Sequence, residues 1–170
     1  MRFLIAVLLL LVPIAAFAQG KVIYGMYERI VIPEIGKYEI KAKMDTGALT
    51  TSIGASDIKI FKKDGVDWVS FKPQLPDIEG VKTLERPLAR LSRIKGSDTT
   101  AGESNVRPVV MLDICLDGRI KSVEVNLANR SNFNYSVLIG RKALVGFDAI
   151  IDPSVKYRAG GCDALLNDTP

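Results

Sequence analysis

Histidine is absent from the chain, and that gap removes several kinds of chemistry at once. Triads and general bases that depend on an imidazole are excluded. So is the ordinary protein zinc site, which leans on His and Cys. No phosphate loop of the form G-x-x-x-x-G-K-[ST] occurs, so the sequence offers no ATP site of that kind. Lys and Arg never gather into a stripe. Acids interrupt them at Lys62-Lys63-Asp64, Glu85-Arg86 and Asp117-Gly118-Arg119, which argues against nucleic acid as a partner. No long amphipathic helical pattern, repeat or internal linker appears. Catalysis, if there is any, must run on carboxylates, hydroxyls, Lys, Tyr or Cys.

The one long apolar run lies at the very start. Met1-Arg2 is followed by the unbroken apolar segment Phe3 to Val12, then by Pro13 and the small residues of Ala16-Phe17-Ala18. That order is that of a secretory signal cleaved after Ala18. The rival, an uncleaved membrane anchor, is disfavoured because a span needs about 20 apolar residues. The expectation is a signal peptide over residues 1–18, one mature domain over 19–170, no membrane span after its removal, and a periplasmic or secreted location. Losing Arg2 lowers the net charge from +4 to +3. The two cysteines, Cys115 and Cys162, are an even count, which in an exported chain favours a disulfide over two buried thiols.

The mature sequence reads as mostly β. Short strands are expected at Val22 to Tyr24 and Arg29 to Ile32, with a turn at Pro33 and Gly36. Lys37 to Met44 alternates polar and apolar with period two, the mark of a half-buried strand. Asp64-Gly65 and Asp117-Gly118 each separate two strand-like runs, as hairpin turns do. Trp68, beside the first of these turns, is expected in the core rather than in a binding groove. Gly96 to Asn105 is small and polar and reads as a loop, either an ordinary turn or a cover over a binding site. Tyr135 to Ile139 is a short strand, Arg141 to Leu144 a helical turn, and Phe147 to Ile151 and Ser154 to Tyr157 final strands. The fold class is all-β, a single closed barrel or sandwich with one short helix.

Asp45-Thr46-Gly47-Ala48 ends the alternating strand. Two carboxylates brought close cannot both ionise, so one can activate a water while the other, protonated, polarises a carbonyl. A tight turn at the end of a buried strand suits that task. Gly47 permits the turn, Thr46 offers a hydroxyl to a partner loop, and Ala48 leaves space. Far downstream, Val137-Leu138-Ile139-Gly140-Arg141 closes an apolar strand on glycine.

This order of parts resembles the retropepsins, in which an apolar strand ending in Gly threads the loop that carries the Asp. It is most similar to a bacterial branch once labelled ATP-dependent zinc proteases. The residues that carry the resemblance are Lys43 to Ala48, Thr51-Ser52, Arg107-Pro108-Val109, Ile139 to Leu144 and Asp152-Pro153, within a span from Ile23 to Tyr157. The resemblance implies a closed acid-protease barrel and an aspartic endopeptidase acting on a peptide or protein. Asp45 would be the catalytic carboxylate, supported by Thr46, Gly47, Ala48, Ile139, Gly140 and Arg141. With one such motif per chain, it also implies a homodimer that supplies the second Asp45; Asp113 or Asp152 completing the pair within one chain is the alternative. Neither zinc nor ATP fits the residues, so no metal and no cofactor is expected. Leu49 and Thr50 replace the acids that in viral members meet the Arg, so Arg141 needs another partner. Relatives of this branch are linked to ligases that add glutamate, which implies glutamate-rich or envelope peptides. The rival reading is a non-catalytic peptide-binding envelope protein of the same fold.

Overall fold

The computed structural model describes residues 20–93 and 106–167. The expected signal peptide, the boundary after Ala18 and the Gly96 to Asn105 loop lie outside the described residues. In chain order the strands are β1 Val22–Gly25, β2 Tyr27–Ile30, β3 Ile40–Asp45, β4 Thr51–Lys63, β5 Val66–Pro73, β6 Leu84–Pro87, β7 Arg90–Arg93, β8 Val106–Leu116, β9 Arg119–Ala128, β10 Val137–Gly140 and β11 Ala149–Asp152. The helices α1, Arg141–Gly146, and α2, Asp163–Asn167, are short. The chain is mostly β, as its alternation predicts.

Period-two patterning places the core. In β3, Ile40, Ala42 and Met44 are buried while Lys41 is exposed, because successive side chains of a strand point to opposite faces. They join Ile53, Phe71, Leu112, Val125, Ile139 and Phe147 in one apolar cluster. Both Asp-Gly turns have positive φ at both residues, 51° and 78° at Asp64-Gly65 and 56° and 68° at Asp117-Gly118. Those values belong to the turn whose twist matches antiparallel strands.

The strands do not close into a barrel. The main sheet runs β2-β3-β10-β4-β9-β8-β7, with β5 and β6 attached beside β4, and β1 pairs with β11 in a separate two-stranded sheet. β4 is the reason for the departure. Its first residues, Thr51 to Gly54, run parallel to β9, whereas Ala55 to Lys63 pair with β5 across an irregularity between Ser56 and Lys59. A bulge of this kind bends a strand and raises its local twist. The distal half of β4 therefore leaves the sheet as a projecting hairpin instead of continuing around a barrel. Trp68 sits on that hairpin, half-buried under Lys63 at 4.6 Å, not in the core; the turn that brings Lys63 back beside it supplies its cover.

The expected strand at Ser154 to Tyr157 is also corrected. Met26 N–H donates to Val155 O and Tyr157 N–H to Tyr27 O, but no ladder forms. Instead the fully buried carboxylate of Glu28 accepts from the backbone N–H groups of Gly25, Arg158 and Ala159 at 2.6, 3.1 and 3.0 Å. A buried carboxylate that collects backbone donors satisfies its own charge and diverts the chain from strand pairing. Gly25 must be glycine here, since a Cβ would stand 2.6 Å from Val155 O.

Cys115 on β8 and Cys162, just before α2, form a disulfide across a separation of 47 residues. Together with Val31, Leu165 and Leu166 they make a second, smaller apolar cluster. Cross-linking a loop of this length restricts the unfolded chain. Reduction is expected to lower stability by about 2–4 kcal/mol, read as a fall in the denaturant midpoint. An unchanged midpoint in reductant, with two thiols titrated, would contradict this.

Candidate functional site around Asp45

The site is built where β10 enters between β3 and β4. β10 runs parallel to β3 with Gly140 opposite Asp45, and antiparallel to β4 with Val137 opposite Ile53. This insertion fixes the loop between β3 and β4. Arg141 N–H donates to Ala48 O at 2.8 Å, and Lys142 N–H to Leu49 O at 3.2 Å. Gly140 N–H reaches the Thr51 hydroxyl at 3.2 Å. A Cβ on Gly140 would lie 2.5 Å from the carbonyl carbon of Thr50, so only glycine lets the two backbones meet.

Asp45 is thereby held at the rim. Its Oδ1 accepts from Gly47 N–H at 3.1 Å, and its Oδ2 lies 3.5 Å from Lys43 Nζ. Thr46 and Gly47 are exposed, Ala48 is half-buried, and Ile139 and Gly140 are buried behind them. The residues expected around Asp45 are thus brought together, with one exception. The Arg141 side chain is exposed and forms no ion pair among the described residues; only its backbone serves the loop.

The arginine that fastens the loop is Arg90. Its Nε and Nη2 each donate at 2.9 Å to the two oxygens of Glu124, and Nη2 also reaches the Thr50 hydroxyl at 3.2 Å. Lys142 Nζ donates to Glu124 Oε2 at 3.0 Å. The hydrogen bonds of Arg90 and then of Lys142 pull the Glu124 carboxyl down to a pKa of about 2. Sequence reasoning misses this cluster because Arg90, Glu124 and Lys142 are far apart along the chain. The spacing from Arg90 to Glu124 becomes legible only once β7, β8 and β9 are known to be neighbours.

A cleft of about 260 Å³ opens beside Asp45, lined by Tyr27, Lys43, Arg130, Phe133, Asn134, Tyr135 and Leu138 as well. Among the described residues, Asp45 is its only acid. Asp113 lies elsewhere, its backbone N–H bonded to Glu34, and Asp152 accepts from Ser154, so neither completes a carboxylate pair with Asp45. Arg130, also missed from sequence, is 8% exposed. It donates from Nε to Tyr135 O at 3.1 Å and lies over the Phe133 ring at 4.5 Å. Burial and then the charge of Arg107 lower its pKa, against the opposing pull of Asp45. Two cations and one carboxylate therefore share this cleft.

A family model described as RimB-like, retropepsin-like aspartic endopeptidase RimB, matches residues 23–160. The chain belongs to this family. A protein of Desulfotalea psychrophila named probable alpha-L-glutamate ligase is 36% identical over 143 residues, covering 83% of this chain and 30% of its own length. Another of the same name from Shewanella pealeana is 34% identical, covering 84% and 31%. The chain therefore spans about 30% of the length of these curated relatives. A crystal structure of Lpg0085 from Legionella pneumophila, a protein of unknown function, superposes with a TM-score of 0.67 at 30% identity, covering 80% of this chain and 96% of that one. Both the family name and the relatives' names are those of enzymes.

These names correct the expected activity. The sequence implies an aspartic endopeptidase with an Asp dyad formed from two subunits, or else a non-catalytic peptide-binding envelope protein of the same fold. The curated relatives are named probable alpha-L-glutamate ligases, names for a bond-forming activity of those whole proteins that run against the expected peptide-bond hydrolysis. The physical source of the error lies in Asp45-Thr46-Gly47, a local motif that reports a turn and a fold. Folds host more than one chemistry.

The Arg90–Glu124–Lys142 cluster generates a pH prediction. Because the folded pKa of Glu124 is depressed to about 2, its contribution to stability is present above the unfolded carboxylate value. It is lost as pH falls through about 2. Glu124→Gln is expected to cost roughly 1 kcal/mol at neutral pH, as befits a solvent-screened pair, with a gap to the native chain that narrows from about pH 4.5 downward. A difference in melting temperature that stays constant across that window would contradict the assignment.

Proposed function

We propose that this chain serves α-L-glutamate ligation by holding an α-linked glutamyl peptide in the cleft beside Asp45. The observation that carries the reading is that Lys43 and the buried Arg130 line one cleft in which, among the described residues, Asp45 is the single acid. A glutamyl chain presents one carboxylate per residue, and two neighbouring cations match two such groups. Charge-assisted bonds to carboxylates are among the stronger polar contacts. Arg130 in particular lacks solvation: burial and Arg107 both disfavour its charge, and Asp45 offsets them only in part. A bound carboxylate supplies the missing counter-charge. Asp45 keeps acceptor capacity beyond its bond to Gly47, so it takes the backbone N–H of the same peptide and fixes its direction.

The relatives' names support the ligand class, and the family's peptide-directed name agrees with an extended chain as ligand. The bond-forming step of ligation is assigned to none of these residues, and the chain covers about 30% of the ligase-named proteins.

Binding of α-linked tetraglutamate, measured by calorimetry at low salt, tests the proposal. The native chain is expected to bind it in preference to tetralysine. Lys43→Gln, which removes a half-exposed cation without touching the core, is expected to weaken binding about tenfold, the loss of one charge-assisted bond. Equal affinity of the native and Lys43→Gln chains, or no preference over tetralysine, would overturn it.

A further inference from the structure

The hairpin that leaves the main sheet, with β6 beside it, has two unlike faces. Direct partners across antiparallel strands share a face, so the ladders sort the side chains. Ile60 opposes Val69, and Leu84 opposes Phe71. Val69 and Phe71 are fully buried and belong to the core. The opposite face carries Phe61, Trp68 and Pro87 in one row across β4, β5 and β6. Lys63 and Val66 form the row toward the turn, Lys59, Ser70 and Glu85 the row behind, and Ser56 and Lys72 the last. None of these residues is buried, and Val66 is 53% exposed.

This face sets an apolar stripe among cations. Lys59, Lys63 and Lys72 stand against one acid, Glu85, and none of the three forms an ion pair among the described residues. The lysine of the hairpin that is paired, Lys62, lies on the other face, 2.9 Å from Asp67. The charge left over is therefore positive and shares its side with the exposed rings.

Three kinds of occupant take a basic apolar face, and the structure separates them. A strand added at the edge is opposed by Pro87, because β6 is the free edge of this sheet and proline there removes a donor. Stacked bases need an open aromatic face, but Lys63 Nζ lies over the Trp68 ring at 4.6 Å. That same contact fits a lipid surface. A lysine stem along an indole keeps its ammonium in the headgroups while the ring stays at the apolar boundary. Anionic headgroups supply the counter-charge that Lys59 and Lys72 lack.

We infer that this face of β4, β5 and β6 rests on an anionic lipid bilayer, with Phe61, Val66 and Trp68 at the headgroup boundary and Lys59, Lys63 and Lys72 against lipid phosphates. The contact is peripheral, and none of these residues lines the Asp45 cleft.

Trp68 is the chain's single tryptophan, so its fluorescence reports on this face directly. The full chain is titrated with vesicles of phosphatidylcholine alone and of phosphatidylcholine and phosphatidylglycerol in equal parts. With the mixed vesicles, Trp68 emission is expected to shift to the blue, to be quenched by brominated acyl chains, and to recover in high salt. Combining Lys59→Gln with Lys72→Gln is expected to weaken this partitioning about tenfold or more, as the loss of two lysines at an anionic surface implies, with the melting temperature unchanged. Vesicle binding that leaves Trp68 emission unmoved puts the contact elsewhere on the chain and overturns the inference. An equal response to both kinds of vesicle overturns it as well. A shift produced by oligothymidylate and not by vesicles replaces it with nucleic acid, and one produced by concentrating the chain alone replaces it with a second copy.

Discussion

The close approach of β10 to the Asp45 loop is the constraint on which the rest depends. Gly140 meets Thr50 at a distance that excludes any side chain, and the first residues of α1 then take the carbonyls of Ala48 and Leu49. Those bonds convert a flexible Asp-Thr-Gly turn into a fixed platform. A second layer secures it: Arg90 joins Thr50 to Glu124, and Glu124 holds Lys142 at the start of α1. The loop is thus gripped through its backbone by β10 and α1 and through a side chain by β7 and β9. A charged group placed at such a loop keeps its position without being buried itself.

This rigidity has a functional use that does not require Asp45 to be one of a catalytic pair. Asp45 and Lys43 leave the same strand on the same side, and Arg130 approaches from the segment that leads into β10. Three charges of known sign are presented along one groove wall. Rigid presentation lowers the entropic cost of binding an extended, flexible chain.

Much of this was legible in the sequence, and the limits are physical. Alternation in Lys37 to Met44 and the two Asp-Gly turns report local geometry, so the strands and hairpins could be read from them, although β3 begins only at Ile40. The resemblance around Asp45 and Ile139-Gly140 correctly led to the family. Closure of a barrel depends on the bulge in β4, which no single residue announces. The strand expected at Ser154 to Tyr157 was forestalled by a buried Glu28, a partner about 130 residues away. Arg90, Glu124 and Arg130 were missed because a charge in a strand pattern looks like solvent-facing surface until its neighbours are known. The expected activity rested on a motif that reports a local turn, whereas Arg130 reaches the Asp45 cleft from the segment between β9 and β10.

The account stands on where a glutamyl chain sits. Backbone amide chemical shifts, followed as α-linked tetraglutamate is added to the isotope-labelled chain, give that location directly. The account predicts that the largest changes fall on Lys43 to Gly47 and on Arg130 to Tyr135, with the β4–β5 hairpin near Asp64 unmoved. Changes centred on that hairpin, or on the cleft between Ile58 and Leu127, with the Asp45 loop silent, would contradict it.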